Sequence, residues 1–201
     1  LNAAYTTTLE SHNVEVILER AEVAGPNEIR LASGKTVTAG KILIATGARP
    51  LLPEFPGSEH GITSNEVFHL PVLPKRVLIA GAGYIANEFA GIFHEFGCAV
   101  TVVNRSDALL RGYDEQIRDR LLQISMSKGI QFKFNTSFQK IEKQADGTLE
   151  VTLSSGEPMT VDCVMFATGR VPNIDGLGLE AAGVESERGA VKVDADNQSS
   201  V

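Results

Sequence analysis

A glycine-containing motif, G-x-G-x-x-A, constrains the fold of this chain more than any other feature. An apolar segment at residues 77–80 runs into Gly81, Gly83 and Ala86, and apolar residues at helical spacing follow up to Gly97. In such a motif the first glycine permits a tight turn, the second lets a pyrophosphate approach the backbone, and the last small residue lets the helix pack on the strand. The N–H groups at the helix N-terminus then face the phosphates. The motif predicts a dinucleotide site, with a plain strand-to-helix turn as the alternative.

The segments around this motif form a repeating pattern of strands and helices. Apolar runs at residues 77–80 and 99–103 flank the first helix, and a second helix begins after Asp114 and runs to about Lys128. The strands expected after it are residues 130–134, 138–143, 149–153 and 159–166. We therefore expect an α/β, Rossmann-like, three-layer dinucleotide-binding domain at residues 61–171, built as β-α-β-α-β plus a β-meander.

The residues after the second strand indicate which dinucleotide fits. A site for NAD has an Asp or Glu about 20 residues beyond the glycines, which binds the ribose 2′-hydroxyl. Here Asn104 stands at that place, followed by Arg105 and Arg111. Two guanidinium groups bind a 2′-phosphate through charge-assisted hydrogen bonds, whereas a carboxylate repels it. The sequence therefore predicts a preference for NADPH, with two solvated surface arginines as the alternative.

The composition excludes several functional classes. The 201-residue chain has a formal charge of −7 and no long basic run, which argues against nucleic acid as a partner. No apolar stretch is long enough to span a membrane, and the N-terminus does not resemble a signal peptide. Cys98 and Cys163 are far apart, so we expect neither a disulfide nor a metal site, and a cytoplasmic location. The four histidines, which are His12, His60, His69 and His94, form no catalytic pattern with Ser, Cys or carboxylate residues in the sequence.

The residues outside the central domain give weaker signals. Residues 1–60 are expected to contain the end of a helix, a small antiparallel meander and a buried strand. The expected strands are residues 14–18, 29–31, 36–38 and 41–47. Three prolines between residues 50 and 56 then indicate a crossing between domains. The sequence A-T-G ends an apolar run at residues 44–47 and again at 166–169, which suggests two similar crossings on either side of an inserted domain.

Three runs of this sequence closely resemble a known family. They are GAGYIANEFAGIFHEFG, NRSDALLRGYD and ATGRVPN. They are similar to the NADPH-binding region of the flavin-dependent pyridine nucleotide-disulfide oxidoreductases, and the resemblance covers essentially the whole chain. Tyr84, Ile85 and Glu88, together with Arg105 and Arg111, narrow it to the NADPH-using glutathione and trypanothione reductase branch.

The resemblance implies roles for individual residues. Tyr84 resembles a tyrosine that covers the nicotinamide pocket until NADPH displaces it, and Glu88 resembles a glutamate that binds the nicotinamide carboxamide. Gly169 and Arg170 resemble residues at the junction where FAD and NADPH meet. Simpler interpretations are a half-buried aromatic ring for Tyr84, a favourable charge near a helix N-terminus for Glu88, and a structural ion pair for Arg170.

The resemblance also implies a role for the protein as a whole. Residues 1–60 and 172–201 correspond to partial FAD-domain segments, while the family's FAD motif, redox cysteine pair and dimerisation domain do not occur here. We therefore expect no catalytic residue in this chain, and flanks that pack poorly. The full enzyme is expected to be a homodimer that serves redox homeostasis, reducing glutathione disulfide with NADPH through FAD and a redox disulfide. Trypanothione or mercuric reductase-like enzymes and a stand-alone NADPH-binding module are the alternatives.

Overall fold

The structure is a computed structural model that describes residues 2–156 and 158–201. The chain forms two compact units, one made of Leu1–Gly47 with Pro172–Val201 and the other of Ala48–Val171. The helices and strands in chain order are α1 (Asn2–Ser11), β1 (Ala21–Gly25), β2 (Glu28–Leu31), β3 (Thr36–Thr38), β4 (Ala48–Pro50), β5 (Arg76–Ala80), α2 (Tyr84–Glu95), β6 (Ala99–Val103), α3 (Glu115–Lys128), β7 (Gln131–Lys133), β8 (Phe138–Lys143), β9 (Leu149–Leu153), β10 (Pro158–Val161), β11 (Cys163–Phe166), β12 (Arg170–Pro172), β13 (Ser186–Glu187) and β14 (Ala190–Val191).

A four-stranded parallel sheet forms the centre of the Ala48–Val171 unit. Its strand order is β11-β5-β6-β7, and the antiparallel sheet β10-β9-β8 forms a separate layer. Side chains along the parallel strands alternate between two cores, as the two-residue period of a strand requires. The side chains that share a core with helix α2 are Val77, Ile79, Val100, Val102, Cys163 and Met165. Those that share a core with the antiparallel sheet are Leu78, Ala80, Val103, Val164 and Phe166. The predicted Rossmann-like α/β fold with a meander is confirmed.

The second helix begins and ends where the sequence predicts. The Asp114 carboxylate accepts hydrogen bonds from the backbone N–H groups of Gln116 (3.0 Å) and Ile117 (3.2 Å), which have no partner inside the helix. Gly129 ends α3 with a positive φ of 110°. The Ile117 side chain is 62% exposed, while Leu121 packs against the core. Only one edge of the helix surface, at Leu121 and Leu122, packs against the core.

One predicted strand, residues 159–166, is wrong, because the structure contains two strands there. Strand β10 pairs with β9, whereas β11 pairs with β5 in the parallel sheet. Asp162 separates them, and its carboxylate accepts hydrogen bonds from the backbone N (2.7 Å), Nε (3.2 Å) and Nη2 (2.7 Å) of Arg76. The Asp162 carboxylate thus binds the start of β5 at the point where the chain passes from the antiparallel sheet to the parallel sheet.

We expect the Asp162 contact to make stability depend on pH. The Arg76 hydrogen bonds lower the pKa of the Asp162 carboxyl below its ordinary value. A lowered pKa stabilises the folded state above the unfolded pKa of about 3.9, and this contribution is lost as the pH falls through the folded pKa. In urea unfolding, Asp162→Asn should have a lower free energy of unfolding than the unsubstituted chain at pH 7, with the difference shrinking below about pH 4. The exposed Asp119 is the control, since Asp119→Asn should produce no such difference. A difference for Asp162→Asn that does not change with pH would contradict this account.

The other unit contains an antiparallel sheet, β1-β2-β3. The strand predicted at residues 14–18 is wrong, because the first strand of this sheet is Ala21–Gly25. A two-residue turn joins it to β2, and Val23 lies opposite Ile29. A tight turn pairs the residues directly beside it, so the strand forms next to the Gly-Pro-Asn sequence rather than at the more apolar run upstream. The core of this unit consists of Val23, Leu177, Leu179, Ala182 and Val184.

The buried strand predicted at residues 41–47 is also wrong. These residues form no strand, and the Leu43 side chain is 88% exposed. A buried strand needs hydrogen-bonded neighbours, and no strand of the described residues pairs with this segment.

None of the side chains of α1 is buried. Poor packing of both flanks, with low protection against proteolysis, remains a prediction. Among the described residues, no helix is long and apolar enough to cross a membrane.

Candidate functional site

A cleft of about 690 Å³ opens at the carboxyl ends of the parallel strands in the Ala48–Val171 unit. The last residues of three strands line it, namely Ala80 of β5, Val103 of β6 and Phe166 of β11. The order of the sheet reverses between β5 and β11, and open α/β sheets bind ligands at such a point. The volume is within the usual range for ligand pockets, roughly 300–1,000 Å³. Of the nine predicted site residues, eight line this cleft: Gly81, Gly83, Tyr84, Ile85, Arg105, Arg111, Gly169 and Arg170.

The two glycines of the motif have different surroundings. Gly81 has a φ of 104°, and its N–H donates to the Val103 carbonyl at 2.8 Å. A Cβ at Gly81 would lie only 2.4 Å from the Ala167 carbonyl oxygen, so the protein itself requires glycine there. Gly83 has an ordinary φ of −75°, and a Cβ there would have no atom of the protein within 4 Å. The fold therefore has room for a side chain at Gly83, and that room belongs to the cleft.

The N-terminus of α2 opens into the same cleft. Gly83 is the N-cap residue, and no side chain of the described residues caps the helix. The Asn87 amide instead donates to the carbonyl oxygens of Ala82 (3.0 Å) and Gly83 (2.8 Å), which holds the turn in place. The first-turn N–H groups remain available for an anion. The ninth predicted residue, Glu88, is exposed and does not line the cleft.

The segment after β6 brings both predicted arginines to the cleft. Arg105 and Arg111 are exposed, and neither forms an ion pair with any of the described residues. The segment is attached to the glycine motif, because the Leu110 N–H donates to the Ala82 carbonyl at 2.8 Å. Two unneutralised guanidinium groups therefore line the same cavity as the N-terminus of α2.

The segment that follows β11 supplies the last predicted residues. Gly169 accepts a hydrogen bond from the Leu51 N–H at 2.9 Å, and the Thr168 hydroxyl donates to the Leu51 carbonyl at 3.2 Å. The Arg170 guanidinium donates to the Ala48 carbonyl, so the partner that the structure gives it is a backbone oxygen rather than a carboxylate. The last residues of the Ala48–Val171 unit are thus hydrogen-bonded to its first residues.

Several residues of the cleft were not identified from the sequence. Phe138 at the start of β8 is one, and others come from loops that only the tertiary structure brings together: Leu51, Pro53, Phe55, Ser106, Tyr113, Thr136 and Ser137. No local pattern distinguishes them from other loop residues. Conversely, residues 176–181 also match G-x-G-x-x-A in letters, but they lie in turns. Leu177 and Leu179 within them are buried in the core of their own unit, so this second match is a packing feature.

Neither of the two cysteines lines the cleft. Both are free and buried in the core next to α2. Burial raises the pKa of the Cys98 thiol, and burial together with nearby Cys98 and Asp162 raises the pKa of the Cys163 thiol to about 11. Protonated, buried thiols are poor nucleophiles. Among the described residues, no group of three or more His, Cys, Asp or Glu side chains is arranged to hold a metal ion.

Comparisons with known proteins agree with this architecture. The family model described as pyridine nucleotide-disulphide oxidoreductase matches residues 1–201. The chain is 44% identical to the glutathione reductase of Burkholderia cepacia over 201 residues, which is all of this chain and 44% of that protein. It is 39% identical to the trypanothione reductase of Trypanosoma congolense over 197 residues, 96% of this chain and 39% of that protein. The chain thus spans less than half the length of these relatives.

A solved structure extends the comparison to the fold. The HOCl-induced flavoprotein disulfide reductase RclA from Escherichia coli matches with a TM-score of 0.89 and 28% sequence identity, over 99% of this chain and 46% of that one. Glutathione reductases among the relatives use FAD and NADPH. The family model matches every residue of the sequence, and therefore the chain belongs to the pyridine nucleotide-disulphide oxidoreductase family.

Proposed function

We propose that the Ala48–Val171 unit, which includes the predicted domain at residues 61–171, binds NADPH in the cleft beside Gly83. The observation that carries this proposal is the open space at Gly83 next to the uncapped N-terminus of α2. The fold gives no packing reason for glycine at that position, whereas a pyrophosphate that approaches the backbone does. The positive end of the helix dipole and the first-turn N–H groups favour the two negative charges of the pyrophosphate.

The arginines select the phosphorylated cofactor in this proposal. Arg105 and Arg111 line the cleft, and no carboxylate of the described residues pairs with either, so a 2′-phosphate gains charge-assisted hydrogen bonds without breaking any of the ion pairs described. Asn104, which also lines the cleft, adds no negative charge to oppose that phosphate. NADH lacks the phosphate and leaves both guanidinium groups in water. NADPH is therefore the expected ligand.

The remaining predicted residues are assigned to the nicotinamide end. Tyr84 is 55% exposed and lines the cleft, so its ring is assigned to cover the nicotinamide pocket until NADPH displaces it. Ile85, Gly169 and Arg170 line the same cleft. The role of Glu88 rests on the family resemblance alone, because its side chain does not reach the cleft.

For the whole protein we propose an NADPH-dependent glutathione-disulfide reductase. Residues 1–60 and 172–201 are assigned to the FAD domain, which residues beyond this sequence complete. FAD, when bound, would carry two electrons from NADPH to a redox disulfide, and the resulting dithiol would reduce glutathione disulfide to two thiols. Within this reaction, residues 81–85 and the arginines bind and orient NADPH. The proposal includes a homodimer and a cytoplasmic location.

A trypanothione reductase is the second candidate, favoured by the 39% identity to the Trypanosoma congolense enzyme. The cleft does not separate the two candidates, because it holds the reductant and not the disulfide. Turnover of glutathione disulfide and of trypanothione disulfide by the full-length protein would distinguish them.

Calorimetric titration of the 201-residue chain with NADPH and NADH at one fixed salt concentration tests the proposed ligand. We expect NADPH to bind at least about tenfold more tightly, a difference of about 1.4 kcal/mol. Arg105→Ala and Arg111→Ala should each reduce this ratio, and the double variant should abolish it, because exposed guanidinium-phosphate contacts supply it.

Arg120→Ala is the matched control for this titration, since Arg120 is an exposed arginine on α3 that does not line the cleft. This variant should keep the preference of the unsubstituted chain. Equal affinities of the unsubstituted chain for the two dinucleotides would refute the proposed NADPH preference.

A further inference from the structure

Asn104 contributes more than the absence of a negative charge, because both its backbone and its side chain form hydrogen bonds. Its backbone N–H donates to the Lys133 carbonyl at 2.9 Å, and its carbonyl accepts from the Thr136 N–H at 3.0 Å. Its side-chain amide Nδ2 donates to the Ser106 hydroxyl at 2.8 Å and to the Ala108 carbonyl at 2.9 Å. The backbone of Asn104 is thus fixed to the end of β7, and its side chain is directed into the segment that carries the arginines.

These bonds hold one end of the segment between Arg105 and Arg111. The other end is held at Leu110, whose N–H binds the Ala82 carbonyl and whose side chain is buried. Leu110 has a φ of 47°, a conformation that residues other than glycine rarely adopt. A rare conformation persists only where the surroundings determine it. The path of the chain between the two arginines is therefore fixed at both ends, by Asn104 and by Leu110.

We infer that Asn104 is a positioning residue, whose amide folds residues 104–108 so that Arg105 and Arg111 face one phosphate together. This inference rests on the proposed NADPH site. An aspartate at this position has no N–H to donate, and its second oxygen would face the Ala108 carbonyl oxygen. Aspartate would therefore repel the 2′-phosphate and also release the segment that binds it. Asparagine meets both requirements, because it is uncharged and donates hydrogen bonds.

The test compares Asn104→Ala with the unsubstituted chain in titrations with NADPH, NADH and adenosine 2′,5′-bisphosphate. We expect about tenfold weaker binding of NADPH and of the bisphosphate, and a change of no more than about twofold for NADH. A residue that only supports the fold would weaken NADPH and NADH equally. Asn104→Asp should weaken NADPH further than Asn104→Ala does, since it adds a negative charge beside the phosphate.

Two further variants keep the test informative. Ser106→Ala removes one acceptor of the Asn104 amide without altering Asn104, and should lower the NADPH-to-NADH ratio by about two- to threefold. Asn65→Ala changes an exposed asparagine outside the cleft and should leave all three affinities unchanged. Circular dichroism and the melting temperature report whether each variant is folded.

The outcomes separate this inference from the proposed function. If the unsubstituted chain prefers NADPH and both Asn104→Ala and Ser106→Ala keep the full preference, the positioning role of Asn104 is overturned while the NADPH site stands. If the unsubstituted chain itself shows no preference, both proposals fall. A selective loss of NADPH and bisphosphate affinity in Asn104→Ala supports both.

Discussion

Gly83→Ala is expected to abolish most NADPH binding while leaving the fold intact. The new methyl group would enter the part of the cleft assigned to the pyrophosphate, and we expect about 100-fold weaker binding, or about 2.7 kcal/mol. The methyl group would meet no protein atom within 4 Å, and φ at this residue is −75°, which alanine adopts without strain. Alanine is a poorer N-cap than glycine, but it also lowers the entropy of the unfolded chain, and these effects offset each other to within about 1 kcal/mol.

The matched control for Gly83→Ala is Gly91→Ala in the middle of the same helix. A Cβ at Gly91 also meets no atom within 4 Å, and Gly91 does not line the cleft. This variant should be more stable by roughly 0.5–1 kcal/mol, because alanine is favoured over glycine inside a helix. Its NADPH affinity, measured by calorimetry beside urea unfolding, should not change. Full NADPH binding by Gly83→Ala would exclude the pyrophosphate from this position and overturn the site.

The central unit could be predicted from sequence because its signals are local. The glycine motif, the Asp114 cap and the continuous apolar runs of β5 and β6 are each local signals of a few residues, and tertiary packing agrees with all of them. The arginine segment follows from chain order, since Arg105 and Arg111 come directly after a parallel strand whose carboxyl end faces the cleft. A local signal and a topological rule were sufficient for that part of the site.

Two of the wrong strand predictions, at residues 41–47 and 159–166, share a physical cause. A strand forms only where another backbone satisfies its N–H and C=O groups, and the apolar run at residues 41–47 has no such partner among the described strands. Residues 159–166 contain only two polar residues, so their pattern predicted one strand. It did not show that Asp162 would bind Arg76 and divide the run into two strands. In both places the outcome depends on residues far away in the chain.

The same cause limits what sequence reveals about the cleft. Leu51 lies 118 positions before Gly169 in the chain, yet their backbones are hydrogen-bonded at 2.9 Å. Glu88 is one helical turn beyond Tyr84, but only Tyr84 lines the cleft. Whether a side chain of a helix reaches a site depends on how that helix packs, which spacing alone does not determine.

Gly81→Ala, in contrast to Gly83→Ala, is expected to destabilise the fold before any ligand is considered. With φ at 104°, alanine is strained by about 1–2 kcal/mol, and its Cβ would lie 2.4 Å from the Ala167 carbonyl oxygen. That oxygen cannot move freely, because the Ala167 N–H is bonded to the Ala80 carbonyl at 2.8 Å. Overpacking a rigid contact costs about another 1–3 kcal/mol, so the free energy of unfolding in urea should fall by about 3 kcal/mol. A loss below about 1 kcal/mol would mean that the ends of β5 and β11 separate easily. The cleft between those strand ends would then be a deformable surface rather than a preformed site, and it would not hold a pyrophosphate rigidly beside Gly83.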